Sequence, residues 1–389
     1  LVVRASYGLQ GNIDKNTSPY LLGNYRIENI LPGGSEDMID VSGAPNKKLR
    51  WEKTHSVNAG FDFAVLNQAI NLSVDYYYRK GVDLIGTQML PLETGFEMLT
   101  VNWASMQNQG VEVALSTRNI HTKNFMWTTN FNFAYNNNKI LKEALREDAL
   151  EPGREGYPVG ALFALKTAGL DEEGYPMFEG KDGKAVSAME FFKLQEWGFG
   201  ATDLTARERR ELYTYVGTAD CPYTGGFNNT FTYKAFELGV NFSFDFGGKV
   251  RSQPTYSIVD FDKGRNTNRD ILNRWTPENT ETIFPVLLSQ NERLDEYMWY
   301  SNQNEIYRNL DIWIRDLNYV RLQNIRLGYT LPTNFSRKLG MTSATIAIEG
   351  RNLLVFGSSY KNYLDPETMS NAYATPAPKS VTLSLNLNF

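Results

Sequence analysis

One cysteine and two histidines leave little for active-site chemistry. Cys221 alone can close no disulfide within the chain and build no cysteine-rich metal site. His55 and His121 lie far apart, and neither an H-E-x-x-H nor a G-x-S-x-G pattern occurs. Walker and dinucleotide-type glycine patterns are also missing. No apolar run reaches the roughly 18 residues of a membrane-crossing helix. A net charge of −5 without any basic run excludes a phosphate track, so no nucleic-acid partner is expected. Lysine is nearly absent from the interiors of the strand-like segments. The opening stretch LVVRASYGLQ has no initiating Met, resembles no signal peptide and already alternates like a strand, which predicts a start inside a longer protein.

What is abundant is aromatic and turn-forming: 22 Tyr, 22 Phe and 7 Trp among 389 residues, with many Asn, Gly and Thr. That mixture favours strands and turns over helices. Alternation of apolar and polar residues recurs along the whole length. Val57, Ala59, Phe61, Phe63 and Val65 oppose Asn58, Gly60 and Asp62. Ile70, Leu72, Val74, Tyr76 and Tyr78 oppose Asn71, Ser73 and Asp75. Val111, Val113 and Leu115, then Trp127, Phe131, Phe133 and Tyr135, continue the pattern. So do Phe236, Leu238, Val240, Phe242, Phe244 and Phe246. Ile325, Leu327, Tyr329 and Leu331, followed by Ala344, Ile346 and Ile348, lead to a last segment, KSVTLSLNLNF. With residues 2–11 and 227–233, the pattern predicts ten strands.

The connections sort by length. Short ones are expected near 66–69, 118–124, 233–236 and 332–343, and long ones at 12–48, 87–108, 138–226, 247–316 and 356–378, in strict alternation. The segment ALFALKTAGL (161–170) is strand-like but is read as part of a loop. Long loops gathered at one end and short turns at the other are the habit of outer-membrane barrels, and strands of about ten residues suffice to cross a bilayer when tilted. The polar strand positions are mostly Asn, Ser, Thr, Gly and Asp, as suits a confined, hydrated lumen. The apolar face is then the outside, since only a closed barrel satisfies its backbone against lipid. Tyr78, Trp127, Tyr135, Tyr329 and Phe389 fall near strand ends, where interfacial aromatics belong.

Residues that could touch a ligand are aromatic and lie in the long connections. Trp275, Tyr297, Trp299, Tyr300, Tyr360 and Tyr363 could stack on sugar faces or contact a lid; the alternative is that they pack loops on one another or on a partner. Ser187-x-x-Glu190 and Thr205-x-x-Glu208 have capping-box spacing and predict short helices within a loop. Asp171-Glu172-Glu173 and the pair Asp260 and Asp262 could hold calcium but lack the spaced oxygen ligands of a defined loop, so no cofactor is expected. Two sequons, at Asn71 and Asn241, fall inside strands and are read as chance.

Beyond these patterns, LRWEKTHSVNAGFDF, NQGVEVALSTRN, WTTNFNFAYN, DLNYVRLQNIRLGYTLP and IEGRNLLVF, with the C-terminal alternation, resemble the SusC/RagA family of TonB-dependent transporters of the Bacteroidetes outer membrane. The resemblance implies an all-β fold, a transmembrane antiparallel β-barrel. Residues 1–389 would hold about the last ten strands of a 22-stranded plugged barrel, with the plug lying before this region. It implies a multi-pass protein in the outer membrane of a Gram-negative bacterium that is not an enzyme. Its role would be active import of nutrient oligomers, oligosaccharides first and peptides second. A SusD-like surface lipoprotein, TonB-ExbB-ExbD and the barrel assembly machinery are the implied partners, and a dimer of transporter–lipoprotein pairs is compatible with it. Leu385, Leu387 and Phe389 would then form a C-terminal assembly signal. A passive porin or adhesin barrel and a soluble all-β binding protein are the alternatives.

Overall fold

The computed structural model describes residues 1–389 apart from 16, 32–33, 42, 97, 146, 197, 199–200, 253–263, 265, 267–268, 288–307, 358–364 and 369–373. In chain order the strands begin with β1 (Val2–Asn12), β2 (Gly23–Leu31), β3 (Gly34–Val41), β4 (Glu52–Val65), β5 (Ile70–Met89), β6 (Met98–His121) and β7 (Phe125–Lys142). Within the next long connection lie β8 (Ala161–Leu165), β9 (Thr167–Leu170), β10 (Pro176–Glu179), β11 (Ala185–Val186) and β12 (Tyr213–Thr218). Then follow β13 (Tyr223–Tyr233), β14 (Phe236–Arg251), β15 (Ile314–Thr330), β16 (Ser343–Phe356) and β17 (Ser380–Asn388). Short helices α1 (Ala188–Phe191) and α2 (Ala206–Glu211) lie between β11 and β12, and α3 (Thr333–Lys338) lies between β15 and β16.

Ten strands form one sheet in the order β1-β4-β5-β6-β7-β13-β14-β15-β16-β17, so each strand neighbours its predecessor in that series. These are the ten segments the alternation predicts. The sheet is open, with β1 and β17 as its end strands. The strand-like segment 161–170 stays within its connection: β8 pairs with β12, and β9 with β10, outside the large sheet.

One expected connection is corrected. The chain between β5 and β6 is residues 90–97, not 87–108, and is shorter than the 331–342 turn, so the alternation of connection length is not strict. β5 has 20 residues and β6 has 24. At about 3.3 Å per residue these far exceed the 9–11 residues that cross a bilayer. Beyond the apolar band a strand keeps pairing through its backbone with no need of an apolar face, so side-chain alternation understates its length.

The chain divides into two compact units. In the first (1–114, 134–147 and 153–159), register fixes the faces. Val3, Ala5 and Tyr7 pair with Phe61, Ala59 and Val57, which pair in turn with Val74, Tyr76 and Tyr78. Directly opposed residues share a face, so one face is apolar and the other carries Arg4, Ser6, Asn58, Asp62, Ser73 and Asp75. Val3, Tyr7, Phe61 and Phe63 are exposed although large and apolar.

The second unit (115–133, 148–152 and 160–389) repeats this division with more aromatic mass. Phe227 stacks on Phe242 at 4.8 Å, Trp127 on Phe231 at 5.5 Å, and Phe244 on Phe246 at 5.3 Å, all on one face. On β17, Val381, Leu383 and Leu385 lie opposite Gly350, Ile348 and Ile346 and are 60–76% exposed. No helix is long and apolar enough to cross a membrane, which leaves crossing by strands open. The buried core of this unit lies in its long connections. Leu165, Phe178, Phe192, Leu310 and Trp313 cluster at 8% exposure or less, each contributing about 1.5–3 kcal/mol by burial.

Candidate functional site

On the polar face of the first unit, one guanidinium serves two carboxylates. Arg4 lies 3.1 Å from Asp62 and 2.9 Å from Asp75, and Ser73 donates to Asp62 at 2.7 Å. Further along, the Tyr77 hydroxyl donates to Asn136 at 2.8 Å. Its path crosses Gly110, where any Cβ would stand 2.5 Å from that hydroxyl and 2.3 Å from the Tyr135 carbonyl oxygen. Glycine is required there by close approach.

In the second unit the polar face ends in a buried ionic latch. The alternation that puts Ile325, Leu327 and Tyr329 on the apolar face would, if unbroken, put Arg321 there as well. A bulge prevents this. Ile325 pairs with Val240 but Leu322 pairs with Phe242, so Gln323 is an extra residue and the phase flips. Arg321 thus joins Ser243 and Asp245 on the polar side, 1% exposed. Its guanidinium donates to Glu367 at 2.8 Å and to Asp365, both from the connection between β16 and β17. Asp365 also accepts from the backbone N–H of Glu367 at 3.0 Å and of Ala377 at 3.2 Å. Burial pushes the Asp365 carboxyl up, but the Arg321 guanidinium and these backbone donors outweigh it and hold the group below its ordinary range. The Tyr319 hydroxyl closes the network, donating to Asp245 with the Glu367 carboxylate 3.3 Å away.

The long connections of this unit form a small layer with its own core. Phe178 stacks on Phe191 at 4.7 Å and meets Phe192 edge-on at 5.1 Å. Thr167 donates to Asp311 at 2.6 Å, tying 160–222 to the end of 252–313. Both capping-box spacings start helices: Ser187 accepts from the Glu190 N–H, and Thr205 and Glu208 bond reciprocally. The Thr205 N–H and the Lys193 ammonium hold the Glu208 carboxyl down to about 2. A cavity of about 730 Å³ opens beside α2, lined by charges of both signs that include Lys166, Lys181, Lys193, Glu179, Glu208 and Glu211.

Of the six aromatic candidates, Trp275 alone lies among the described residues; Tyr297, Trp299, Tyr300, Tyr360 and Tyr363 lie outside them. Trp275 is half-buried, its indole lying against Gly174, where a Cβ would stand 2.4 Å from the ring. Leu385 and Leu387 sit on the apolar face of β17, and Phe389 follows its end, 82% exposed. His55 is 3.0 Å from the Tyr7 hydroxyl through Nδ1. Asp171 accepts from the N–H groups of Glu173 and Tyr175, closing a turn. Asp260 and Asp262 lie outside the described residues, among which no cluster of His, Cys, Asp or Glu could hold a metal. Sequence reasoning missed the latch. Its only signal is a lone Arg in the run Tyr319-Val320-Arg321-Leu322.

A meander of long strands with one apolar exposed face, one small-polar face and extended connections defines the wall of an outer-membrane-type β-barrel. The family model "TonB dependent receptor-like, beta-barrel" matches residues 1–171. The TonB-dependent receptor P3 of Formosa agariphila is 28% identical over 99% of this chain and 39% of its own length. The TonB-dependent receptor SusC of Bacteroides thetaiotaomicron is 26% identical over 88% of this chain and 32% of its own length. The solved structure of the RagAB peptide transporter superposes with a TM-score of 0.74 at 24% identity, covering all of this chain and 40% of that one. The chain is thus similar to TonB-dependent receptor β-barrels, SusC among them, and spans about a third to two fifths of the length of these relatives.

Proposed function

We propose that the protein containing this chain imports nutrient oligomers across the outer membrane, driven by TonB, with these ten strands forming part of a 22-stranded wall around a plug. The observation that carries the reading is the two-faced sheet: exposed apolar rows such as Val381, Leu383 and Leu385 against a face of Asn, Ser, Thr and Asp. A wall with this division sets lipid on one side and a hydrated passage on the other. The SusC and TonB-dependent receptor relatives support energised import over passive diffusion. Oligosaccharides are the first substrate class and peptides, carried by the RagAB transporter whose fold this chain resembles, the second. The layer formed by residues 160–222, with its own core and charged cavity, suits a rigid platform for a SusD-like lipoprotein on the long-connection side.

The test is uptake by cells carrying the full-length gene or a deletion, supplied with labelled oligosaccharides and peptides of matched size. Uptake should require the gene and stop when TonB or the proton-motive force is removed. Uptake that persists without TonB would replace this reading with a passive porin.

A further inference from the structure

The turns at the short-turn edge of the second unit carry cations and no Asp or Glu. Its connections, residues 122–124, 234–235 and 331–342, hold Lys123, Lys234, Arg337 and Lys338 without a single Asp or Glu, in a chain whose net charge is −5. These connections form one continuous edge. The Lys234 N–H donates to the Asn124 carbonyl oxygen at 2.9 Å and the Thr330 N–H to that of Ala235 at 2.9 Å. The Thr342 N–H donates to the Asn388 carbonyl oxygen at 2.7 Å. All four cations are exposed. Among the described residues Lys123, Arg337 and Lys338 have no ion-pair partner, and the Lys234 ammonium rests 5.4 Å from the Tyr233 ring. The acid nearest in sequence, Glu237, is on the polar face and paired with Arg326 at 2.9 Å.

Two further features place this edge at the boundary between apolar and polar surroundings. Phe335 and Leu339 are exposed at and beside the short helix α3, next to Arg337 and Lys338. The apolar face of the sheet also turns polar near these turns. Trp127 donates from Nε1 to Asn229 at 3.0 Å, Thr129 donates to Asn229 at 2.7 Å, and Asn119 donates to Thr129 at 2.7 Å. These side chains share a face with Phe131 and Phe231 but lie between the aromatic band and the turns. Hydrogen-bonded polar groups, then cations, next to an apolar band follow the order of depth in a phospholipid leaflet.

We propose that this edge binds the anionic headgroups of the phospholipid leaflet on the short-turn side. Lys123, Lys234, Arg337 and Lys338 meet phosphate charge, and Phe335 and Leu339 enter the acyl boundary. The proposal rests on the reading that the strands span a membrane. Clustered cations at a leaflet of anionic lipid attract it within a Debye length, and no acid on these turns opposes them.

The test uses the full-length protein reconstituted into vesicles of phosphatidylethanolamine with a minority of phosphatidylglycerol. Spin-labelled lipids report which species is motionally restricted at the protein surface. At low salt, phosphatidylglycerol should be preferred by about fivefold or more, since each engaged cation is worth roughly that factor. The variant Lys123→Gln/Lys234→Gln/Arg337→Gln/Lys338→Gln should bring the ratio close to one, whereas Lys47→Gln/Lys48→Gln should leave it unchanged. Lys123→Gln/Lys234→Gln, confined to two exposed turns, should lose part of the preference and serves if the quadruple variant does not fold. A quadruple variant that folds and keeps the preference would overturn the proposal. Wild-type protein that inserts without any preference would overturn it alone; failure to insert into these vesicles would overturn the membrane reading with it.

Discussion

Replacing Arg321 by Met should open the connection between β16 and β17 while leaving the sheet folded. Arg321 is 1% exposed and Asp365 has a side-chain exposure of 7%, so the pair is buried; Glu367, at 40%, is half in solvent and adds little. Without the guanidinium, the Asp365 carboxylate keeps only the N–H groups of Glu367 and Ala377. Removing one partner of a buried ion pair costs about 3–5 kcal/mol. The least costly response is local: Asp365 leaves for water and carries its segment with it. Opening should therefore be favoured by roughly 150- to 4500-fold. Hydrogen exchange of the Glu367, Thr368 and Ala377 amides in detergent measures this directly, with the β15–β16 amides as an internal control. Arg321→Met/Asp365→Leu should recover most of the protection of the Thr368 amide, which donates to the Asp365 backbone carbonyl and so keeps its acceptor, because two apolar groups replace a buried pair at little net cost. Unchanged exchange in the single variant, or no recovery in the double, would refute the latch.

The pH response of the same amides has a defined sign. Asp365 titrates below its ordinary range when folded, so its contribution is complete above the ordinary carboxylate pKa and is lost as pH falls through the lowered one. Once intrinsic exchange rates are divided out, protection should be flat from about pH 5 to 8 and fall below about pH 4; loss near neutrality would contradict this. Gly110→Ala should break the Tyr77–Asn136 bond and cost about 1–3 kcal/mol by overpacking, read as a lower midpoint of heat-modifiable gel mobility, while Tyr77→Phe costs less. Deleting Phe389 should sharply reduce assembled barrel with synthesis intact; Phe389→Tyr should be tolerated and Phe389→Asp should not. Normal assembly of the deletion would make β17 an ordinary strand.

The large sheet was legible because its ten strands keep one apolar and one polar face, and a period of two survives any tertiary arrangement that keeps both. What broke the reading was local. At Gln323 a single bulged residue moves Arg321 from the apparent lipid side to the interior side, and no side-chain pattern announces it. The ends of β5 and β6 escaped notice because polar residues such as Asn102, Gln107 and Asn108 interrupt the apolar alternation there. The inner layer of the long connection was invisible for a different reason. β8 and β12 pair across a wide sequence separation, and the core around Phe178 draws Leu310 and Trp313 from another connection. Capping at Ser187 and Thr205 was readable, since a cap is complete within four residues. Trp275 shows the limit of composition: an aromatic in a loop can serve a ligand or a neighbour, and here its ring meets the surface left bare by Gly174.

The central claim is that the row Val381, Leu383, Leu385 and Leu387 faces lipid while Thr382, Ser384, Asn386 and Asn388 face water. Spin labels placed singly at residues 381–388 of the full-length protein in bilayers test it in one scan of collision rates with oxygen and with a water-soluble nickel chelate. The account predicts a period of two: oxygen access high at the odd positions, and the ratio of oxygen to nickel access low at the even ones. A flat profile, or maxima of oxygen access at 382, 384, 386 and 388, would contradict it.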